Sequence, residues 1–178
     1  MSAAETPLRQ AARRALLRLR WGGRLELGRG ACVGRGVRFE LDRGARLVLG
    51  EGARLGDRSS VRASGEVRIG TGTLIGRRSV LAANELVSIG ESCLLGDETM
   101  LSDTALTVED AARPGGERAV TVLPVRVGDR VRVGPRACLL AGASVGEGAI
   151  IGPRAVVDGP VAEGAVVGGV PARAELQQ

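Results

Sequence analysis

Residues 47–66 read LVLGEGARLGDRSSVRASGE, residues 67–86 VRIGTGTLIGRRSVLAANEL and residues 87–106 VSIGESCLLGDETMLSDTAL. The three segments align without a gap at a period of 20 residues, the mark of a repeat architecture. One column collects Leu49, Ile69 and Ile89, a second Leu55, Ile75 and Leu95, a third Val61, Leu81 and Leu101. Small residues, Ser59, Ser79 and Thr99, follow the second column by four places. Three aliphatic columns with small residues between them describe a three-sided solenoid with one short strand per side. A single coil cannot bury its aliphatic side chains alone, so stability comes from stacking on neighbours.

Outward from this block the same pattern continues in both directions. An aliphatic residue followed by Gly recurs six places on in Leu27/Val33, Leu49/Leu55, Ile69/Ile75, Ile89/Leu95, Val127/Val133 and Val145/Ile151. Beyond residue 124 the coil shortens to 18, from Val127 to Val145, Val133 to Ile151 and Leu139 to Val157. Three sides of six residues make the minimal coil, so the 20-residue coils are expected to carry two extra residues at one corner. The Gly after each aliphatic is expected to ease the backbone round a corner. Between the two blocks, about residues 107–124, Pro114-Gly115-Gly116 breaks the register, and this segment is expected to project as a loop.

The expected organisation is an amphipathic helix in residues 1–21, a β-helix over 22–173 interrupted at about 107–124, and a tail at 174–178. Residues 5–21, ETPLRQAARRALLRLRW, have helical spacing, with Leu8, Ala12, Ala15, Leu16 and Leu19 on one face. Such a helix is expected to cover the open edge of the first coil. The alternative is a helix lying on an anionic membrane surface.

Composition narrows the function. The chain of 178 residues holds 28 Gly but only two aromatics, Trp21 and Phe39, and no Tyr or His. All 25 basic residues are Arg, and the net charge is +5. That charge suits nucleic acid, an anionic membrane or a phosphorylated ligand. Nucleic-acid modules add stacking aromatics, which this chain lacks, so nucleic acid is not expected as a partner. Cys32, Cys93 and Cys138 are too widely spaced for a CxxC metal motif, so no metal is expected. No stretch of 18 apolar residues appears, and a cytoplasmic protein is expected.

The segment VRVGDRVRVGPRACLLAGASVGEGAIIGPRAVVDGPVAEGAVVGGVPAR, residues 125–173, resembles the terminal coils of the hexapeptide-repeat acyltransferases. It includes their GxPA ending, here Gly169-Val170-Pro171-Ala172. The likeness reaches back to about residue 87 and is strongest for the branch that acetylates sugars, serine and polysaccharides. The resemblance implies an all-β, single-stranded left-handed parallel β-helix of about six coils with a short N-terminal helix. It supplies the hand, which periodicity does not. It implies a homotrimer with active sites between subunits, acetyl-CoA or another acyl-CoA as co-substrate, and a sugar or amine as acceptor. Gly142 and Pro153 then stand where backbone approaches the pantetheine arm, and Arg154 and Arg173 where a guanidinium can pair with CoA phosphates.

The chain departs from this family at the chemical centre. A histidine before the loop normally removes the acceptor's proton, a task suited to imidazole. Here the stretch reads Leu101-Ser102-Asp103-Thr104-Ala105-Leu106, with Ala105 or Leu106 where histidine is expected. A family Trp is replaced by Arg132, and Asp158-Gly159 follows the last full coil. Asp103, Glu109 and Asp110 are the carboxylates placed to act as a catalytic base. The expected activity is acyl transfer from CoA with weak or substrate-assisted proton removal. The alternative is a noncatalytic β-helix serving as a scaffold or partner subunit.

Overall fold

A computed structural model describes residues 7–106 and 120–174. Their strands stack into three parallel sheets that wrap one prism. The first face is built from Leu25–Leu27, Arg46–Leu49, Glu66–Ile69, Leu86–Ile89, Val125–Val127, Ser144–Val145 and Pro160–Val161. The second runs from Cys32–Val33 to Val166–Gly168, and the third from Arg38–Leu41 to Val156–Val157. Seven rungs on the first face make about six coils of a left-handed β-helix. The register is the one written in the columns: Leu49 lies against Ile69, Ile69 against Ile89, Ile89 against Val127 and Val127 against Val145.

Every residue of the three columns is buried, as are Ser59, Ser79, Thr99, Ala137 and Ala155. Among the described residues the stacked columns of the interior hold aliphatic and small side chains. Both aromatics lie at the first coil, Trp21 meeting Phe39 edge-on with centroids 6.4 Å apart. Where small polar side chains enter the core they bond along the axis: Thr99 donates to Ser79 Oγ at 3.1 Å, and Thr73 to the Gly90 carbonyl at 2.7 Å. Satisfied in this way, they occupy the core without the cost of a stranded hydroxyl.

The glycines after the aliphatic columns serve a purpose different from the one expected. Gly76 has no left-handed backbone, yet a Cβ there would stand 2.4 Å from the carbonyl carbon of Gly96 on the next coil. These glycines let coils approach; the turning is done two residues later. At that position φ is positive, in Gly52 (+66°) at the first corner and in Arg58 (59°) and Arg78 (55°) at the second.

Both ends of the prism are covered. Helix α1, Pro7–Trp21, lies over the first coil, and Arg14 donates to the Gly28 carbonyl at 2.7 Å and Arg18 to the Leu27 carbonyl at 2.8 Å. Those carbonyls are the open edge of the first rung, and the guanidinium groups fill it. The helix face is the reverse of the expected one. Leu17 and Trp21 pack on the core, whereas Ala12, Ala15, Leu16 and Leu19 face away. Edge carbonyls demand donors, so the Arg-bearing side turns inward. The side chain of Leu8 lies outside the described residues. At the other end Arg173–Ala174 folds back antiparallel on Val166–Gly168, and Ala172 N donates to the Val156 carbonyl at 2.7 Å.

Candidate active site at the third corner

The third corner, between the third and first faces, is where the coils differ in length. Eight residues separate Val61 from Ile69 and Leu81 from Ile89, but six separate Leu139 from Val145 and four Val157 from Val161. The extra residues of the long coils thus sit at this one corner. At the step between long and short coils a hairpin emerges, Thr104–Leu106 pairing antiparallel with Val120–Val122. The interruption read from sequence begins and ends in paired strands; its residues 107–119, with Glu109 and Asp110, lie outside the described residues.

Asp103 holds the base of the hairpin. Its carboxylate is fully buried. Oδ1 accepts from Asn84 N at 2.9 Å and Thr104 Oγ1 at 3.2 Å; Oδ2 accepts from Glu85 N at 2.6 Å and Leu86 N at 3.0 Å. Its carbonyl accepts from Leu123 N at 2.9 Å, closing the hairpin. Both oxygens of the carboxylate that the sequence offers as a base are thus engaged by the corner and the foot of the hairpin. Asp103 locks the corner of the coil before it. Asn84, exposed on that locked turn, donates to Thr104 Oγ1. Sequence reasoning passed over Asn84 and Thr104, although they stand one 20-residue coil apart, an offset the repeat makes readable.

Gly142 marks where the next coil meets the hairpin. Its N–H donates to the Leu123 carbonyl at 3.1 Å, its φ is +83°, and a Cβ would come within 3.4 Å of Leu123 Cδ1. Pro153 and Arg154 are exposed at the second corner, at the far edge of the third face from Gly142. There Glu98 lies between Arg78 and Arg136, the latter 2.7 Å away, and these guanidinium groups hold its carboxyl below the usual range. Arg154, one coil beyond Arg136, makes no ion pair among the described residues, and its charge is open to an anion. Arg173 is exposed on the terminal strand. The structure therefore groups Pro153 with Arg154 and sets Gly142 apart.

The outer surface of the second face carries a groove of about 570 Å³ lined by Leu74, Leu94, Arg132, Pro135, Ile150 and Pro153. Leu74, Leu94 and Ile150 are large apolar residues left exposed there. Arg132 sits among them.

Residues 124–159 match the model of the family described as bacterial transferase hexapeptide (six repeats). The match falls within the short coils of the left-handed β-helix. Among solved structures the chain is similar to AntD, an N-acyltransferase from Bacillus cereus in complex with dTDP and 3-hydroxybutyryl-CoA. The identity is 17%, covering 90% of this chain and 86% of that one, with a TM-score of 0.77. It is also similar to the hexapeptide-repeat acetyltransferase VCA0836 from Vibrio cholerae O1 biovar eltor, complexed with acetyl-CoA. There the identity is 23% over 94% of this chain and 76% of that one, with a TM-score of 0.64. A variant of AntD bound to dTDP-4-amino-4,6-dideoxyglucose and CoA aligns at 16% identity, 92% and 87% coverage and a TM-score of 0.77. No curated protein matches the chain significantly by sequence. No helix among the described residues is long and apolar enough to cross a membrane.

Proposed function

We propose that the chain is a cytoplasmic CoA-dependent acyltransferase that acts on an amine, most naturally an amino sugar, without a protein base. The observation that carries this reading is the Asp103-locked hairpin at the step between long and short coils, in a chain with no histidine. An enzyme whose one buried carboxylate at that corner is spent on backbone N–H groups gains most from an acceptor that supplies its own lone pair. A neutral amine attacks a thioester directly, whereas a sugar hydroxyl needs its proton removed. Positioning of both substrates then provides the rate. The solved N-acyltransferase with its aminosugar nucleotide supports the same class of acceptor.

Gly142 and the Pro153–Arg154 pair lie at opposite edges of one face. A single extended CoA touching both sets does so from neighbouring chains, which favours a ring of three with sites between subunits. The exposed Leu74, Leu94 and Ile150 then pack against the next chain.

The test is an acetyl-transfer assay with an amino-sugar nucleotide and its hydroxyl counterpart. The amine is expected to be acetylated, with a rate that climbs tenfold per pH unit until the amine itself is half deprotonated. A bell-shaped profile with a limb near neutrality, or faster transfer to the hydroxyl compound, contradicts a mechanism without a protein base. Absence of transfer to either favours the noncatalytic scaffold, the reading that the missing histidine supports.

A further inference from the structure

Two observations meet at the end where the solenoid begins. The first is the outward face of α1. Leu19 is 85% exposed and Leu16 66% exposed, with Ala12 and Ala15 beside them, while Leu17 and Trp21 hold the helix to the core. The helix PLRQAARRALLRLRW contains five Arg and no acidic residue.

The second is the distribution of charge. Residues 1–45 hold ten Arg against four acidic residues, whereas residues 46–178 hold fifteen Arg against sixteen. The entire positive excess of the chain belongs to the helix and first coil. Within that coil Arg29, Arg38 and Arg43 are exposed and make no ion pair among the described residues. Further along, seven Arg residues are answered by acids, as Arg77 by Asp97 and Arg136 by Glu98 one coil away.

From these we infer that the N-terminal end of the solenoid docks on an anionic lipid bilayer, with Leu16 and Leu19 entering the headgroup boundary and the surrounding Arg residues meeting lipid phosphates and carboxylates. An amphipathic helix of this kind, free of acidic residues and too short to span, binds in the plane of the interface. Its attraction to anionic lipid adds up over the basic residues held near the surface. A second copy of the same end is disfavoured as occupant because each would bring the same excess of Arg toward the other. The capping role is not displaced: Arg14 and Arg18 satisfy the first rung while the opposite face is left for the membrane.

The experiment is flotation of the full chain with vesicles of phosphatidylcholine alone and of phosphatidylcholine with about 30% phosphatidylserine. The protein is expected to float with the anionic vesicles, stay behind with the neutral ones, and be released as NaCl rises to about 0.5 M. Leu16→Glu with Leu19→Glu is expected to lower the bound fraction about tenfold or more, with an unchanged circular-dichroism spectrum because both side chains face outward. Arg29→Glu with Arg43→Glu keeps the apolar face intact and is expected to weaken binding to anionic vesicles alone. Failure to float with anionic vesicles overturns the proposal, as does equal flotation with both. If the Leu16/Leu19 variant instead loses mass in light scattering while the parent ignores vesicles, a second copy covers this face. None of these readouts depends on acyl transfer.

Discussion

A methyl group at Gly76 would press on the carbonyl carbon of Gly96 at 2.4 Å, whereas one at Gly52 would meet nothing within 4 Å but would occupy a φ of +66°. Gly52→Ala is therefore expected to cost about 1–2 kcal/mol, the ordinary penalty of a left-handed residue. Gly76→Ala is expected to cost more, because backbone rather than a flexible side chain blocks the site. Denaturant titration that reverses this order would refute the close-approach role. Asp103→Asn puts an amide N–H among the three N–H donors that now face a carboxylate. A loss of about 1–3 kcal/mol is expected, with CoA affinity retained in protein kept folded. An Asp103→Asn protein of parental stability but reduced turnover would restore Asp103 as a base. The aliphatic columns were fully legible because burial follows directly from spacing. The role of Asp103 was not, because its partners at Asn84–Leu86 belong to the preceding coil and are local only in three dimensions.

At the scale of elements, the two-residue rungs alternate strictly between core and solvent, so adjacent residues have opposite fates. Ile75 is buried and Arg54, on the neighbouring rung, is exposed. Ile75→Asp is expected to unfold the neighbouring coils, since an unpaired charge enters a prism whose few hydroxyls are already bonded to one another and to carbonyls. Arg54→Asp is expected to change the melting temperature little. Equal losses in both would break the register. The helix shows where periodicity falls short. Its spacing reveals an apolar face but not what that face meets. The open carbonyls of Leu27 and Gly28 draw in Arg14 and Arg18, and the apolar side is left outside. The hairpin was legible only as an interruption. That it emerges at the step between corner lengths follows from the shift between the 20- and 18-residue coils.

Across the whole molecule the ionisable groups predict a simple pH response. Arg77 holds the Asp97 carboxyl, and Arg136 with Arg78 the Glu98 carboxyl, below their ordinary values. Groups depressed on folding stabilise the native state above their unfolded pKa, and that contribution is lost as pH falls through the lower folded value. Burial pushes the Cys93 thiol up, so it stays neutral, and no histidine titrates. Stability is therefore expected to be flat from about pH 5 to 8 and to fall only below the carboxylate range. A thermal-melting transition near pH 6–7 would contradict that. The proposed ring of three would bury the exposed apolar strip of the second face, and light scattering is expected to give about three times the 18.3 kDa chain mass. A monomer at all concentrations would remove the site between subunits. The proposed function requires recognition of an acyl-CoA by the terminal coils, and calorimetric titration of the purified chain with acetyl-CoA tests it most directly. Saturable binding of one acetyl-CoA per chain, weakened about tenfold by Arg154→Ala, is the predicted result. No heat of binding from acetyl-CoA or CoA under any condition that preserves the fold would contradict it.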